Sequence, residues 1–344
     1  MAEKNEIDVS RYTNKEELTF DVEFITPAFL GGADGNAEIR TAPFKSLLRR
    51  WWRIVNGNLS PEELWKKESE MFGSTEKDMV SGKIFGKSKV VLKIINIQQE
   101  DYLSSENINI GEDDYTDLAL YTGYGSVNRG KKYIVPKTRC SFSISCPKEN
   151  EHEIQKTLFY VHLFGTIGSR SHNGWGSIAI LPKSFEFDHA KYFLQALILE
   201  KVWSSNKNYP FCIGKDEKGM LCWQTVERYP SWKSAFEDIA QIYHQLVKNL
   251  NEDDKNCNTK WRKLLGFAAG NSRLSSQLLL KVCITKTKIQ TEYYGMIVHV
   301  PYLVSDWKER DGDQKEAWQF IHEWLDSDEK LIGSMGRKIT GLAK

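Results

Sequence analysis

The chain has 344 residues, of which 40% are hydrophobic and 12% aromatic, with 47 Lys and Arg against 46 Asp and Glu. This composition supports a large core and excludes a mainly disordered protein, and the length predicts two domains or one large one. The net charge of +1 excludes a uniformly basic protein, so any nucleic-acid site must come from local clustering of Lys and Arg.

Neither the cysteines nor the histidines form a recognisable metal site. The six cysteines have no C-x-x-C spacing, and the seven histidines include no H-x-x-x-H pair, so we expect reduced, packed thiols and neither metal nor cofactor. The charged segment Met1–Lys15 lacks the apolar core of a signal peptide, and no uncharged apolar run reaches the ~20 residues of a membrane helix. We therefore expect a soluble, cytoplasmic protein with no membrane partner.

The first half of the chain predicts a sheet with helices packed on it. Leu18 to Ile25 alternates apolar and polar residues as a strand does, and Pro27 ends it. Ala42-Pro43 opens a helix that Asn56-Gly57 closes. The remaining predicted elements are the helices Pro61–Phe72 and Glu151–Phe164 and the strands Lys89–Ile97, Lys132–Val135, Ser141–Ser145 and Ser177–Leu181. This order is that of a ferredoxin-like sheet carrying insertions.

The second half predicts another mixed unit. Its predicted elements are the helices His189–Val202, Ser231–Leu250 and Gln314–Leu325 and the strands Gln277–Thr285 and Tyr293–Val300. Periodicity alone does not prove that this unit repeats the first one. We therefore expect an α+β protein with two domains, residues 1–181 and residues 182–344.

The predicted helix near residue 50 carries a basic face. Lys45, Arg49 and Arg53 are spaced by four, so they stack on one side of the helix. Like charges at this spacing destabilise a helix, so the three cations need a reason. One explanation is a bound phosphate backbone that neutralises them. The alternative is a solvated basic face whose partner acids lie elsewhere in the chain. The pattern places Trp51 on the apolar side and Trp52 toward the basic face, and the predicted core stripe is Phe44, Leu47, Leu48, Trp51 and Val55.

A glycine-rich segment, residues 165–176, is the second candidate site. Its glycines would let backbone amides approach a ligand, Arg170 would bind phosphate, and Trp175 would stack on a base. The predicted RNA contacts of this segment are Gly165, Gly168, Ser169, Arg170, Gly174, Trp175 and Gly176. The alternative is a tight helix-to-strand connection with Trp175 in the core. We expect the basic helix face and this loop to lie on one surface.

Two residues are candidates for catalysis. Asp34 lies in a glycine-rich loop and is a candidate for metal-dependent cleavage, although a loop carboxylate more often caps a turn. His172 lies beside Arg170 and is a candidate general base, although no second catalytic group accompanies it.

Several motifs together resemble the RAMP superfamily of CRISPR proteins, and most of all the family of the first RAMP subunit of the Cmr (type III-B) effector complex. The motifs are Phe29-Leu-Gly-Gly-Ala, Glu38-Ile-Arg40, Lys45, Leu48-Arg49, Trp51-Trp52-Arg53, Phe72-Gly-Ser74, Ser88-Lys-Val90, Gly165-x-x-Gly-Ser-Arg170, Gly174-Trp-Gly176 and Arg273–Lys281. The sequence departs from the family pattern at Pro43, at Ser46, where a glycine is usual, and at Arg50, where an aromatic residue is usual.

The resemblance implies two ferredoxin-like (RRM-like) domains with insertions. It also implies a subunit that binds the 3′ part of the guide RNA, helps capture target RNA, contacts other RAMP subunits and does not itself cleave RNA. One alternative is a RAMP endoribonuclease that uses Asp34 or His172, and another is a scaffold that contacts no RNA. The scaffold gains support if the cations at 45, 49, 53 and 170 are all paired with internal acids.

Overall fold

The computed structural model describes residues 14–32, 36–77, 82, 84–98, 101–106, 108, 118–127, 129–188, 196–203, 211–252, 261–269, 272–287, 289–303 and 314–338. The first half contains, in chain order, β1 (Lys15–Phe24), α1 (Thr41–Val55), α2 (Pro61–Phe72), β2 (Ser74–Lys77), β3 (Ile84–Gly86), β4 (Val91–Ile97), β5 (Leu103–Ser104), α3 (Leu118–Gly123), β6 (Tyr133–Ile134), β7 (Arg139–Pro147), α4 (Glu151–Phe164) and β8 (Ile178–Pro182). We call these elements the N-terminal module.

The second half forms the C-terminal module. Its elements are β9 (Leu197–Ile198), α5 (Leu199–Trp203), β10 (Gly214–Asp216), β11 (Gly219–Met220), β12 (Cys222–Thr225), α6 (Trp232–Glu252), β13 (Phe267–Ala269), β14 (Ser272–Leu274), β15 (Leu278–Lys286), β16 (Thr291–His299), α7 (Gln314–Ser327) and β17 (Leu331–Gly333).

The N-terminal module is built on an antiparallel sheet in the order β4-β7-β1-β8. The alternation in β1 turns Leu18, Phe20, Val22 and Phe24 into the core, where α1 and α4 cover them. Phe44 of α1, for example, lies with its ring centroid 4.5 Å from that of Phe142 on β7. With α1 between β1 and β4, and α4 between β7 and β8, this is the βαββαβ topology of a ferredoxin-like fold.

Two insertions enlarge this module. The first, between α1 and β4, contains α2 and the hairpin β2-β3; the second, between β4 and β7, contains β5, α3 and β6. Helix α2 begins at the predicted Pro61, and its start is fixed by a capping box in which Ser60 and Glu63 exchange hydrogen bonds. The hairpin β2-β3 lies between α2 and β4.

The C-terminal module repeats the same topology. Its main sheet has the order β15-β16-β12-β17, with α6 between β12 and β15 and α7 between β16 and β17. Counted along each module, both sheets therefore have the strand order 2-3-1-4. The prediction of an α+β fold with two ferredoxin-like domains and insertions is confirmed, whereas the boundary at residues 181 and 182 stays a prediction.

Strand β15 joins the two modules. Its buried Lys281 donates from Nζ to His162 O (2.6 Å) and Val161 O (3.4 Å) in the last turn of α4, where a cation satisfies free carbonyls and complements the helix dipole. Burial lowers the pKa of Lys281 to about 8. The adjacent amides of Leu280 and Val282 donate to His172 O (2.8 Å) and Ser177 Oγ (3.0 Å). One strand thus binds both the end of α4 and the loop that follows it.

The predicted difference between Trp51 and Trp52 is wrong as to burial. The two rings are 2% and 0% exposed. Trp51 stacks on Phe164 of α4, with ring centroids 5.8 Å apart, and Trp52 meets Phe72 of α2 edge-on at 5.9 Å. The inserted helix α2 covers the side of α1 on which the sequence pattern placed Trp52.

Candidate nucleic-acid interface

A buried acid pairs with the basic face of α1. Glu68 of α2 is 3% exposed; it accepts a hydrogen bond from Arg49 Nε and lies 3.4 Å from Arg53 Nε. The arginine side chains remain 44% and 55% exposed. The spacing by four therefore has an internal explanation, the alternative that the sequence left open, but both guanidinium groups still reach solvent.

Helix α1 nevertheless carries an excess of positive charge. Its sequence contains four cations and no acid, and within the described residues no carboxylate pairs with Lys45. Burial, and then the charge of Arg49, lower the pKa of Lys45. No carboxylate opposes these two effects, so the Lys45 ammonium remains available to an anion.

The glycines of the loop at residues 165–176 serve the packing of its own backbone. Gly168 and Gly176 have φ values of 95° and 64°, in the region that favours glycine. A Cβ atom on Gly176 would lie 1.9 Å from Ile167 O, and one on Gly168 would lie 2.7 Å from Phe29 O. Glycine at these positions lets the loop turn tightly against the segment that follows β1.

Several loop amides are already bonded within the chain. The amide of Ile167 donates to Gly176 O (2.8 Å), and the amide of Gly176 donates to Pro27 O (2.8 Å). The amide of Ser169 donates to Phe29 O (3.0 Å). These three groups are not available to a ligand, which corrects the expectation that the glycine-rich segment forms a backbone cradle.

Four of the predicted RNA contacts in the loop are buried. They are Gly165, Gly174, Trp175 and Gly176. The Trp175 ring is 0% exposed, packs on Phe29 and Phe236 with centroids 5.5 and 4.7 Å away, and donates from Nε1 to Thr122 Oγ1 (3.2 Å). A ring without an exposed face does not stack on a base, so the prediction of base stacking by Trp175 is wrong and its place is the core.

The exposed part of the loop is the corner Gly168-Ser169-Arg170. Arg170 has a φ of 59°, a conformation that costs energy for a residue with a side chain. It makes no ion pair with any described residue. The strained backbone thus presents an unpaired guanidinium at the surface, and this corner is the part of the loop that can bind phosphate.

His172 is held in a structural contact with helix α1. Its Nε2 accepts a hydrogen bond from Arg50 Nη1 (2.7 Å). Burial, and then the charge of Arg50, lower the pKa of His172 to about 3, so the ring is neutral at physiological pH. A general acid–base catalyst works best with a pKa near the working pH, and this environment opposes that role for His172.

The other catalytic candidate, Asp34, lies outside the described residues. Within the described ranges, no group of three or more His, Cys, Asp or Glu residues has a geometry that could hold a metal ion. The five cysteines in these ranges are free and buried, as expected. Across the same ranges, no helix combines the length and the apolar character needed to cross a bilayer.

Sequence reasoning missed two residues that organise this region. Arg50 links α1 to the loop at His172, whereas Arg49 turns toward α2; whether the basic face and the loop share one surface stays a prediction. An arginine where relatives carry an aromatic residue was the available signal for Arg50. Glu68 lies one helical turn after Leu64, inside the apolar stripe of α2, and an acid in such a stripe signals an internal partner.

The protein has two ferredoxin-like modules of the same strand order. Strand β15 and the glycine-rich loop join them beside a basic helix. This architecture defines a protein with paired RRM-like domains. The RAMP superfamily model matches residues 21–179, which span the N-terminal sheet from β1 to β8. Over this N-terminal module the chain is similar to the RAMP superfamily.

The chain is also similar to individual proteins. The CRISPR system Cmr subunit Cmr1-2 of Pyrococcus furiosus is 29% identical over 180 residues, which cover 48% of this chain and 95% of that protein. The crystal structure of apo Cmr1 from Pyrococcus furiosus superposes with a TM-score of 0.51 at 15% identity, over 90% of this chain and 96% of that one, and it supports the fold. A chain of the type III-B Cmr-beta complex bound to cognate target RNA superposes with a TM-score of only 0.31 at 13% identity, over 52% of this chain and 62% of that one.

Proposed function

We propose that this protein is an RNA-binding, non-catalytic subunit of a type III-B (Cmr) CRISPR effector complex. In this role it binds the 3′ part of the guide RNA, helps capture target RNA and contacts other RAMP subunits. The similarity to Cmr1-2 supports the choice of complex. The observation that carries RNA binding is the presence of two cations without an ion-pair partner among the described residues, Lys45 on the basic helix and Arg170 on the exposed loop corner.

RNA binding by these cations should depend steeply on salt. Phosphate contacts release counterions, so Arg170→Ala and Lys45→Ala should each weaken all single-stranded RNAs alike and flatten the slope of log K against log salt by about one. Fluorescence anisotropy with a labelled RNA measures both quantities. Lys201→Ala, which removes an exposed lysine of α5, is the control and should bind as the wild type. Affinity that is independent of salt would contradict the proposal.

Replacing Glu68 by glutamine should reduce stability and strengthen RNA binding at the same time. The variant loses the charge of the Glu68 carboxylate, and with it the charge-assisted hydrogen bond from Arg49 and the ion pair with Arg53, at a cost of about 1–3 kcal/mol in the free energy of unfolding. It also frees positive charge on α1, so RNA affinity should rise several-fold. Glu62→Gln removes an exposed carboxylate of the same helix and should change stability little. A destabilised Glu68→Gln protein with unchanged RNA affinity would favour a scaffold role for this face.

The purified chain should not cleave RNA. Strand cleavage needs a base for the 2′-hydroxyl or a metal-activated water, and His172 is neutral, partly buried and already bonded to Arg50. The test is incubation of the protein with labelled guide and target RNA, with and without magnesium. Cleavage that Asp34→Ala or His172→Ala abolishes would establish the alternative, an endoribonuclease; cleavage that survives both changes would indicate a contaminant or another site.

A further inference from the structure

The charge of Arg50 has no ion-pair partner among the described residues, whereas four other arginines of the protein have one. Arg49 and Arg53 share Glu68, Arg139 pairs with Glu23 (2.7 Å), and Arg337 pairs with two aspartates. Arg50 is partly buried and forms no ion pair with any described residue. Burial lowers its pKa, with no carboxylate opposing the effect. A desolvated cation normally has an anionic partner.

The contacts that Arg50 does make leave its charge intact. His172 accepts one hydrogen bond at Nε2 (2.7 Å), and a neutral imidazole contributes no negative charge. The Phe211 ring centroid lies 5.9 Å from the guanidinium carbon, close enough for a weak cation–π contact. Phe211 belongs to the C-terminal module, so the guanidinium lies where helix α1, the glycine-rich loop and that module meet. Among the described residues, its remaining N–H groups have no acceptor.

We propose that Arg50 binds a phosphodiester group of the RNA, with His172 fixing the orientation of its guanidinium. This inference rests on the proposed RNA-binding function and adds a site residue between the basic helix and the loop. The planar guanidinium presents paired N–H donors that match two oxygens of a phosphate. His172 occupies Nη1, which restricts rotation of the fork before RNA binds and so lowers the entropy lost on binding. The site would hold a backbone phosphate and carry no base specificity.

The test compares RNA affinity with stability in Arg50→Gln. We expect this variant to bind a fluorescein-labelled single-stranded RNA about tenfold more weakly, with the salt slope flatter by about one. We also expect its urea midpoint to stay the same or rise, because an uncompensated, partly desolvated charge has been removed. A merely structural arginine would give the reverse result, a lower midpoint with unchanged RNA affinity, and that outcome would overturn the proposal.

Two further variants separate this proposal from the general one. Arg50→Lys keeps the charge but loses the fork, so it should retain the salt slope and bind more weakly than the wild type. Arg49→Gln alters the neighbouring arginine that already has an acid partner, and it should weaken binding less than Arg50→Gln. If wild-type binding depends on salt while Arg50→Gln binds identically, the Arg50 site fails and the proposed function stands. If wild-type binding is independent of salt, the proposed function fails and the Arg50 site fails with it.

Discussion

Arg337→Ala should destabilise the protein by about 3–5 kcal/mol, because it leaves two carboxylates without their main partner in a buried network. The Arg337 side chain is 0% exposed. It donates to both oxygens of Asp326 (2.9 Å each) and to Asp216 Oδ1 (2.8 Å), and its guanidinium carbon lies 4.6 Å from the Trp223 ring centroid. The network connects the end of α7, the hairpin β10-β11 and the segment after β17.

Urea unfolding followed by tryptophan fluorescence measures this loss. Arg262→Ala removes an exposed arginine of the same module and should change the free energy of unfolding by less than about 0.5 kcal/mol. Arg337→Lys keeps a charge but not the bidentate geometry, so its loss of unfolding free energy should lie between those of Arg337→Ala and Arg262→Ala. A loss below about 1 kcal/mol in Arg337→Ala would mean that water compensates the aspartates and that the network contributes little.

The second large effect is a loss of stability in mild acid through two buried histidines. His299 Nδ1 lies 2.8 Å from His322 Nε2, and His299 Nε2 lies 3.2 Å from Gln277 Oε1. The Gln277 oxygen also accepts the amide of Tyr302 (3.2 Å), which fixes it as an acceptor. His299 therefore carries its proton on Nε2 and accepts at Nδ1 from His322, so His299 cannot take up a second proton without disrupting this chain.

The direction of the pH effect follows from the pKa shifts. Burial, and then the charge of Arg337, lower the pKa of His322 from 6.5 to about 3. Burial, and then the charge of His322, lower the pKa of His299 well below 6.5. The unfolded chain binds these protons below pH 6.5 while the folded chain does not, so stability is complete above pH 6.5 and falls as the pH drops toward 3. At pH 5 the loss is about 2 kcal/mol for His322, and His299 contributes a loss of the same sign.

Urea midpoints at pH 7 and pH 5 test this expectation. His322→Gln should unfold with a smaller difference between the two pH values than the wild type, because one of the two titrating groups is gone. His152→Gln changes an exposed histidine of α4 and should leave the difference unchanged. Equal pH dependence in all three proteins would assign the acid sensitivity to other groups.

The elements that follow from local pattern were predictable, and the contacts across the chain were not. The alternation in β1 and the apolar stripe of α1 predicted both elements and their core faces. Trp52 was assigned to the wrong environment because its partner, Phe72, lies on an inserted helix whose packing site local periodicity does not encode. The order of elements predicted the first ferredoxin-like module, and its repetition in the second required the strand pairing.

The candidate site shows the same limit. The sequence identified the loop that contains Arg170. It did not distinguish glycines that allow close packing of the loop backbone from glycines that face a ligand. That distinction depends on Phe29 O and Pro27 O, which approach from a segment more than a hundred residues away. Likewise His172 was a catalytic candidate until its partner, Arg50, was known, since only that contact and its burial determine the protonation state of the ring.

The strand order of the N-terminal sheet has a consequence for synthesis of the chain on the ribosome. Among the described residues, β1 pairs with β7 and β8 alone, from Lys15↔Pro147 to Phe24↔Ile178. During translation, β1 therefore has no strand partner until more than a hundred further residues have emerged. Such delayed, long-range pairing slows folding and leaves an aggregation-prone apolar segment of the nascent chain exposed. Helices α1 and α2 emerge earlier and can associate through Trp52 and Phe72, which would shield part of that segment while the ribosome completes the sheet.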